Sequence, residues 1–302
     1  MNVSRRLGVA AALVDGAFVP GDVRIAEGRI AQVGAAPAGA SGLAVPGFVD
    51  LQVNGFAGVD FLAADAADYA HANAALAATG VTSYLPTFVT APPKDTLRAL
   101  AVARAAAAID PAPSARSPGR AAILGVHLEG PFLSPSWPGA HDPRCLRAPD
   151  TALAERFLRA GDVALVTLAP ELPGAHDLIR ALMAAGVVVS AGHSDADARA
   201  AHAGFDAGAR AITHLHNAHR RFGHRDPGLA GVALVRRDVT VQAIVDNVHL
   251  APEVAYGAFL AAGERFSIVT DAMAAAGLGD GTYALGTREV HVAGAVARLA
   301  DG

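Results

Sequence analysis

The stretch VVVSAGHSDADARAAHAGFDA, residues 187–207, decides the fold class of this chain. Its first residues are mostly apolar and rich in valine, which is typical of a buried β-strand. After His193 the pattern becomes an alanine-rich helix that opens on Asp195 and stops before Gly208, and these residue types are usual at helix ends. We therefore predict one β/α unit, with His193 at the carboxyl end of its strand.

The same unit recurs along most of the chain. Eight apolar, β-prone segments are predicted as strands: 47–53, 81–88, 122–128, 163–168, 187–191, 211–215, 239–245 and 266–270. Helical patterns fill most of the gaps: 68–78, 94–107, 151–160, 175–185, 195–207 and 252–262. Strands that are nearly continuously apolar and alternate with helices indicate an α/β protein with a (β/α)8 barrel of the TIM type.

The two ends of the chain show a different pattern. Residues 1–44 and 275–302 alternate with period two between Gly and Asp, which is typical of antiparallel strands. We predict that they form one small β-sandwich domain beside a barrel of residues 45–274. Since no helical pattern follows the eighth strand, the C-terminal part is expected to be truncated, so that one flank of the barrel exposes apolar surface.

The composition limits the classes of function. The 302 residues are 52% hydrophobic and 17% charged, with a formal net charge of -4. The chain can therefore bury a sizeable core, and no Lys/Arg run predicts binding to nucleic acid or a membrane surface. No apolar segment is long enough to span a bilayer. The single cysteine, Cys145, excludes an internal disulfide and indicates a reducing, cytoplasmic compartment.

Side chains that bind metals follow several of the predicted strands. Glu129 ends the third strand, His193 ends the fifth, His214 lies in the sixth and Asp271 ends the eighth. Because active residues of such barrels gather at the carboxyl ends of the strands, we expect these four to meet. One carboxylate and two imidazoles are the ligands of a catalytic divalent metal with an open position for water. Asp271 would then exchange protons with that water.

Each of these residues also has a simpler interpretation. Glu129 can be a solvated loop residue, and one histidine on an apolar face is more often a core or loop residue than a ligand. Asp271 can cap the N-terminus of a helix. The occurrence of all four at strand ends favours the metal site.

Several motifs make the class more specific. They are PGFVDLQVNG at 46–55, HLEGPFL at 127–133, GAH at 139–141, AGHS at 191–194, THLHNA at 213–218 and VTDA at 269–272. In this order and spacing, the chain resembles the N-acetylglucosamine-6-phosphate deacetylases, a family of the amidohydrolase superfamily of metal-dependent hydrolases. The resemblance implies a cytoplasmic homodimer of amino-sugar catabolism. Its reaction would convert N-acetyl-D-glucosamine 6-phosphate to D-glucosamine 6-phosphate and acetate.

The resemblance also implies roles for individual residues. Glu129, His193 and His214 match the metal ligands, and Asp271 matches the catalytic acid/base. The residues that match substrate-binding positions are Gln52, Ala140, His141, Asn217, Ala218, Arg225 and His249. Among them, His141 matches the catalytic histidine that polarises the acetamide carbonyl. Arg225 matches the phosphate-binding arginine, which in the family reaches across a dimer interface, although a lone arginine in a loop is more often solvated.

Gln52 and Asn54 bear on the number of metal ions. Many amidohydrolases carry histidines at both positions to bind a second metal, and strand alternation places residues 52 and 54 on one face. An amide is a poor ligand compared with imidazole, so we predict one divalent ion per subunit, with Gln52 bonded to its water. The ligand set favours Zn²⁺, and Fe²⁺, Mn²⁺ and Co²⁺ are the alternatives.

One loop departs from the family pattern. His219 stands where a methionine is usual and is followed by Arg220 and Arg221. Together with His216 and His224, His219 offers an alternative ligand for phosphate or for a second metal. Two other functions stay open: deacetylation of a related acetamido sugar phosphate, such as N-acetylgalactosamine 6-phosphate, and a truncated, non-catalytic remnant that binds only metal or sugar phosphate.

Overall fold

The structure is a computed structural model that describes residues 4–109, 119–294 and 296–300. Short strands precede the barrel and form two three-stranded sheets. Their bounds are Arg5–Arg6, Ala11–Val14, Ala17–Pro20, Asp22–Ala26, Arg29–Ala35 and Leu43–Ala44. The buried carboxylate of Asp22 fixes the segment that leads from the first sheet to the second, because it accepts from Arg6 Nε at 2.9 Å and from the Gly8 and Val9 amides at 2.9 and 3.0 Å.

A barrel of eight parallel strands follows, as predicted. The strands are Phe48–Val53, Val81–Val89, Val126–Glu129 preceded by Ala122–Ile123, Val163–Leu168, Val188–Ala191, Ala211–Ile212, Thr240–Ala243 and Phe266–Ile268. Each strand pairs in parallel with the next one along the chain. In this order they are strands one to eight of the barrel.

The first and eighth strands close the ring through one isolated bridge and a few polar contacts. The Asp271 amide donates to the Gln52 carbonyl at 2.9 Å. The hydroxyl of Thr270 donates to the buried carboxylate of Asp50 at 2.6 Å. Because these contacts surround Asp271, the closure of the barrel also holds that residue at the carboxyl end of the eighth strand.

The helices of the described ranges surround the barrel. They are Ala66–Ala78, Pro93–Ile109, Thr151–Ala160, Ala175–Ala184, Ala198–Ala207, Gly228–Val235 and Pro252–Ala262. The sequence pattern does not predict the helix Gly228–Val235, because it is apolar and buried along most of its length and lacks a polar face. The helix Ala198–Ala207 begins three residues later than predicted. Its N-cap is Asp197, which accepts from the Ala200 amide at 2.7 Å, and Asp195 is therefore left outside the helix.

The last strands of the described chain form a sheet of their own. Gly281–Leu285, Arg288–Ala293 and Val296–Leu299 form a separate antiparallel sheet. No strand of this sheet pairs with the N-terminal sheets in the described ranges, and the joint β-sandwich of the two chain ends stays a prediction. The sheet instead lies against the mouth of the barrel, where the Gly286 amide donates to Asp60 at 2.6 Å. The domain limits at residues 44 and 274 stay predictions.

One flank of the barrel exposes large apolar side chains. They lie on the first strand, the eighth strand and the last helix, and each is at least half exposed: Phe48, Ile268, Tyr256, Phe259 and Leu260. Among the helices of the described ranges, none has the length and apolarity needed to cross a membrane.

Candidate active site

Three side chains from different strands converge inside the mouth of the barrel. Glu129 Oε1 lies 3.0 Å from His193 Nε2 and 2.9 Å from His214 Nε2, and the two imidazole nitrogens lie 3.1 Å apart. All three side chains are buried. In the part of the chain that the structure describes, no other set of three His, Cys, Asp or Glu side chains comes this close to a metal-binding arrangement.

The hydrogen bonds of this triad indicate a site for a cation. His193 Nδ1 donates to the Trp137 carbonyl at 3.0 Å, so the Nε2 atom of the neutral ring carries a lone pair. That lone pair faces Glu129 Oε1 and His214 Nε2. Burial lowers the pKa of His193, as does the nearby His141, and both favour the neutral ring. Acceptor atoms that face one another in a buried site repel unless a cation lies between them, so the triad fits a divalent metal ion.

The backbone at these positions is unusual. His193, His214 and Asp271 have φ values of 48°, 28° and 51°, in the left-handed region that non-glycine residues rarely adopt. Such conformations cost on the order of 1–3 kcal/mol each and are found mostly at functional sites. Three of them at the carboxyl ends of strands five, six and eight support a functional role for this mouth.

Glu129 also has two partners outside the triad. Gln52 Nε2 donates to its Oε1 at 3.0 Å, and His141 Nε2 lies 3.5 Å from its Oε2. Burial raises the pKa of Glu129, but the nearby imidazoles, His141 foremost and then His193 and His214, more than offset burial, and the pKa lies well below its usual value. The carboxylate is therefore ionised. The Gln52 amide points at this carboxylate, and the Gln52 Oε1 atom has no hydrogen-bond partner.

His141 presents a hydrogen-bond donor to the site. The Thr90 amide donates to His141 Nδ1 at 3.0 Å, which requires that Nδ1 be an acceptor and that the ring hydrogen lie on Nε2. This Nε2–H faces the Glu129 side of the cavity. The backbone of Thr90 thus sets the tautomer that a carbonyl-polarising histidine needs.

Asp271 lies beside the triad with an unusual acidity. Asn54 Nδ2 donates to its Oδ1 at 2.6 Å. Burial and the negative charge of Glu129 raise the pKa of Asp271 to about 7. A carboxyl group that titrates near neutrality can both accept and release a proton. The alternative role as a helix N-cap is wrong, because no helix of the described residues begins at Asp271.

The triad opens into a cavity of about 300 Å³ between the barrel and the C-terminal sheet. Predicted site residues that line it are Glu129, Ala140, His141, His193, His214, Asn217, Ala218, His249 and Asp271. Leu285, Val290 and Leu299 contribute an apolar roof. Arg225, the predicted phosphate ligand, is exposed and does not line the cavity, whereas Arg298 from the last strand does.

The three alternative histidine ligands do not join the triad. His219 is buried, and its Nε2 donates to the Thr213 carbonyl at 2.9 Å. His216 is half-buried and packs edge-on against Phe222, with ring centroids 6.4 Å apart. His224 is exposed.

Several residues of the site carry only weak sequence signals. Asn54 could have been assigned to the mouth from strand alternation, because it follows Gln52 by two residues on the same strand. Thr90 and Trp137 act through backbone atoms, for which side-chain identity is no guide. Arg298 reaches the cavity only because the last sheet lies against the barrel.

Residues 43–292 match the model of the amidohydrolase family. The match covers most of the chain, and the chain therefore belongs to the amidohydrolase family. Its relatives include an N-acetylglucosamine-6-phosphate deacetylase from Mus musculus, which is 40% identical over 273 residues. That alignment covers 84% of this chain but only 63% of the mouse protein. Another relative, an N-acetylgalactosamine-6-phosphate deacetylase from Escherichia coli O157:H7, is 37% identical over 287 residues, covering 93% of this chain and 74% of the relative.

A solved structure is similar over the whole chain. It is a mutant N-acetyl-D-glucosamine-6-phosphate deacetylase from Mycobacterium smegmatis in complex with N-acetyl-D-glucosamine-6-phosphate. The similarity has a TM-score of 0.88 at 38% identity and covers 100% of this chain and 78% of the solved one. The deacetylase from Thermotoga maritima gives a TM-score of 0.87 at 33% identity, covering 99% and 79%.

Proposed function

We propose that this chain catalyses the metal-dependent hydrolysis of N-acetyl-D-glucosamine 6-phosphate to D-glucosamine 6-phosphate and acetate. The observation that carries the proposal is the buried Glu129–His193–His214 triad, which shares one cavity with Asp271 and His141. The names of its relatives and structural neighbours support this substrate.

The proposed cofactor is one divalent ion per chain, most suitably zinc. Glu129, His193 and His214 would hold it. When bound, such an ion supplies Lewis acidity and brings the pKa of water towards neutrality. Gln52 and Asn54, both amides, donate to Glu129 and Asp271, and among the described residues no second set of metal ligands lies beside the triad.

Asp271 and His141 would move protons and charge during the reaction. Asp271 accepts a proton from the attacking water, whose oxygen bonds to the acetamide carbon. His141 Nε2–H donates to the carbonyl oxygen as negative charge develops there. Asp271 then delivers its proton to the nitrogen as the carbon–nitrogen bond breaks, which releases the amine and acetate.

Sugar binding is proposed for the rim of the cavity. Ala140, Asn217, Ala218 and His249 line it, and Asp246 holds the His249 ring through Nδ1 at 2.8 Å. The exposed Arg225 would bind the phosphate of a substrate held by the second subunit of a homodimer. The buried free thiol of Cys145 is consistent with a reducing, cytoplasmic compartment.

The decisive experiment measures acetate release from N-acetylglucosamine 6-phosphate, together with metal analysis of the purified chain. One metal equivalent and turnover that Asp271→Asn abolishes would support the proposal. Metal without acetate release would instead support a non-catalytic binding protein. The galactosamine epimer is assayed in parallel, because the Escherichia coli relative is named for that substrate.

Mixing two inactive variants tests the role of Arg225. A mixed dimer of Arg225→Ala and Asp271→Asn chains contains one site with an intact Asp271 and a partner's intact Arg225. We expect mixing to recover part of the activity that each variant lacks alone. Absence of recovery in mixed dimers would contradict phosphate binding across the interface.

A further inference from the structure

The only tryptophan of the chain, Trp137, links the metal triad to a cluster of charges outside the cavity. Its carbonyl accepts from His193 Nδ1 at 3.0 Å. Its indole Nε1–H donates to Asp195 Oδ1 at 2.9 Å. The same residue thus contacts a predicted metal ligand through its backbone and an acidic side chain through its ring.

Asp195 continues the chain of contacts towards the predicted phosphate loop. Arg220 Nε donates to Asp195 Oδ1 at 3.1 Å, and Arg220 Nη1 donates to Asp226 Oδ2 at 2.9 Å. Asp226 is the neighbour of Arg225 in sequence, and its Oδ1 accepts from the Ala198 amide at 3.0 Å. A continuous chain of hydrogen bonds therefore runs from His193 Nδ1 to Asp226, the residue next to Arg225.

A second set of contacts fixes the segment that follows His193. Glu171 accepts from the Ser194 hydroxyl at 2.7 Å and from the Asp195 amide at 2.6 Å. The Ser134 amide donates to the His193 carbonyl at 2.9 Å. Asp195 is therefore held by the bond of its backbone amide to Glu171 and by the bond of its side chain to Arg220. This makes it a fixed acceptor for the indole of Trp137.

The segment of Trp137 also packs directly on the His193 ring. A Cβ atom added to Gly139 would lie 2.9 Å from His193 Cε1. A metal-binding histidine is aimed by the acceptor on its second nitrogen, and loss of such an acceptor typically weakens metal binding by about 10–100-fold. Here the acceptor is a carbonyl in a turn, so its position depends on what holds that turn.

We propose that Trp137, Asp195 and Arg220 form a positioning relay that aims His193 at the metal and couples this ligand to the loop carrying Arg225. The proposal rests on the metal site of the proposed function. The three residues are positioning residues, since they act through His193. The Asp195–Arg220 pair is about 40% exposed on both sides, and such pairs contribute only about 0–1 kcal/mol to stability. If this pair contributed only to stability, its removal would leave metal affinity almost unchanged. If it belongs to the relay, its removal weakens metal binding.

Zinc affinity of the metal-free protein tests the relay. Competition with a chelating dye measures the zinc Kd, and the emission of Trp137 reports on its surroundings during the titration. For Asp195→Ala we expect a Kd about tenfold higher, the lower end of the range for partners of metal ligands, and a smaller emission change on zinc binding. Asp195→Asn keeps an oxygen acceptor for the indole and should restore most of the affinity.

Arg220→Ala should also weaken zinc binding, but by less than Asp195→Ala. Its matched control is Arg221→Ala, because Arg221 is the next residue and is exposed. Melting curves check that each variant is folded. Zinc affinity unchanged in both Asp195→Ala and Arg220→Ala would overturn the relay and leave the proposed function untouched. A second outcome is that the wild-type chain binds zinc but releases no acetate, while Asp195→Ala lowers the zinc affinity. It would support the relay and contradict the proposed reaction. A wild-type chain that binds no zinc would overturn both.

Discussion

Asn54 Nδ2 and Asp271 Oδ1 lie 2.6 Å apart, although 217 residues separate them in the chain. Asn54 follows the first barrel strand and Asp271 follows the eighth, so this hydrogen bond spans the seam at which the barrel closes. This hydrogen bond stabilises the ionised form of Asp271 and so lowers its pKa. It opposes burial and the Glu129 charge, which both raise that pKa. The seam of the barrel thus tunes the acidity of the proposed acid/base.

Replacing this amide should shift the pH dependence of turnover. In Asn54→Ala the carboxylate loses a donor, so its pKa rises further. Because Asp271 must be ionised to accept a proton, the acidic limb of the kcat/KM profile should move to higher pH, with the plateau above it largely retained. The profile of acetate release against pH measures this shift, and an unmoved acidic limb would show that Asn54 does not tune Asp271.

Removing the proton acceptor itself should be far more damaging. Asp271→Asn keeps the size and the contact with Asn54 but cannot exchange a proton. We expect kcat to fall by about 10²–10⁴-fold, the usual contribution of a general acid–base group, while one metal equivalent stays bound. Steady-state kinetics and metal analysis of the same sample measure both. A loss of metal together with activity would instead point to Asp271 as a ligand.

The same substitution should stabilise the metal-free fold at neutral pH. The folded pKa of Asp271 is about 7, against about 4 in an unfolded chain. Between these values the folded state holds the extra proton, so the contribution of Asp271 to stability falls as pH rises. In chelator-treated protein, Asp271→Asn should therefore melt above the wild type at pH 8, and the gap should close towards pH 4. A difference in melting temperature between Asp271→Asn and the wild type that stays constant from pH 4 to pH 8 would contradict the raised pKa.

Much of the fold was accessible from the sequence because barrel strands are buried on both faces. Segments such as Val163–Leu168 are therefore apolar except for Thr167 and easily recognised. The layer beneath the triad is less regular, since His127 Nε2 and Thr167 Oγ1 form a buried hydrogen bond at 2.8 Å inside the barrel. Burial lowers the pKa of His127 to about 4, which makes it a neutral core histidine rather than a ligand.

Glu129, His193, His214 and Asp271 lie together because the barrel brings strand ends together, a property of the fold that the sequence reveals. The partners that orient them were not predictable in the same way. Trp137 and Asp195 are 58 residues apart and belong to loops with no periodic pattern. The pairing of the last sheet could not be read from period-two alternation either, because alternation identifies a strand but not its neighbour. Arg225 remains a prediction that depends on a second subunit.

Glycine at position 139 offers a final test of how tightly His193 is held. Its φ of 56° and the 2.9 Å approach of an added Cβ to His193 Cε1 both oppose any side chain there. Gly139→Ala should displace the imidazole and lower zinc affinity by about tenfold or more, the effect typical of disturbed ligand orientation. Gly257 lies in the last helix, where an added Cβ meets nothing within 4 Å. Gly257→Ala is thus the matched control, and it should leave zinc affinity unchanged and stabilise the fold by up to about 1 kcal/mol. Equal zinc affinities in the two variants would mean that the loop of Trp137 does not constrain the ligand.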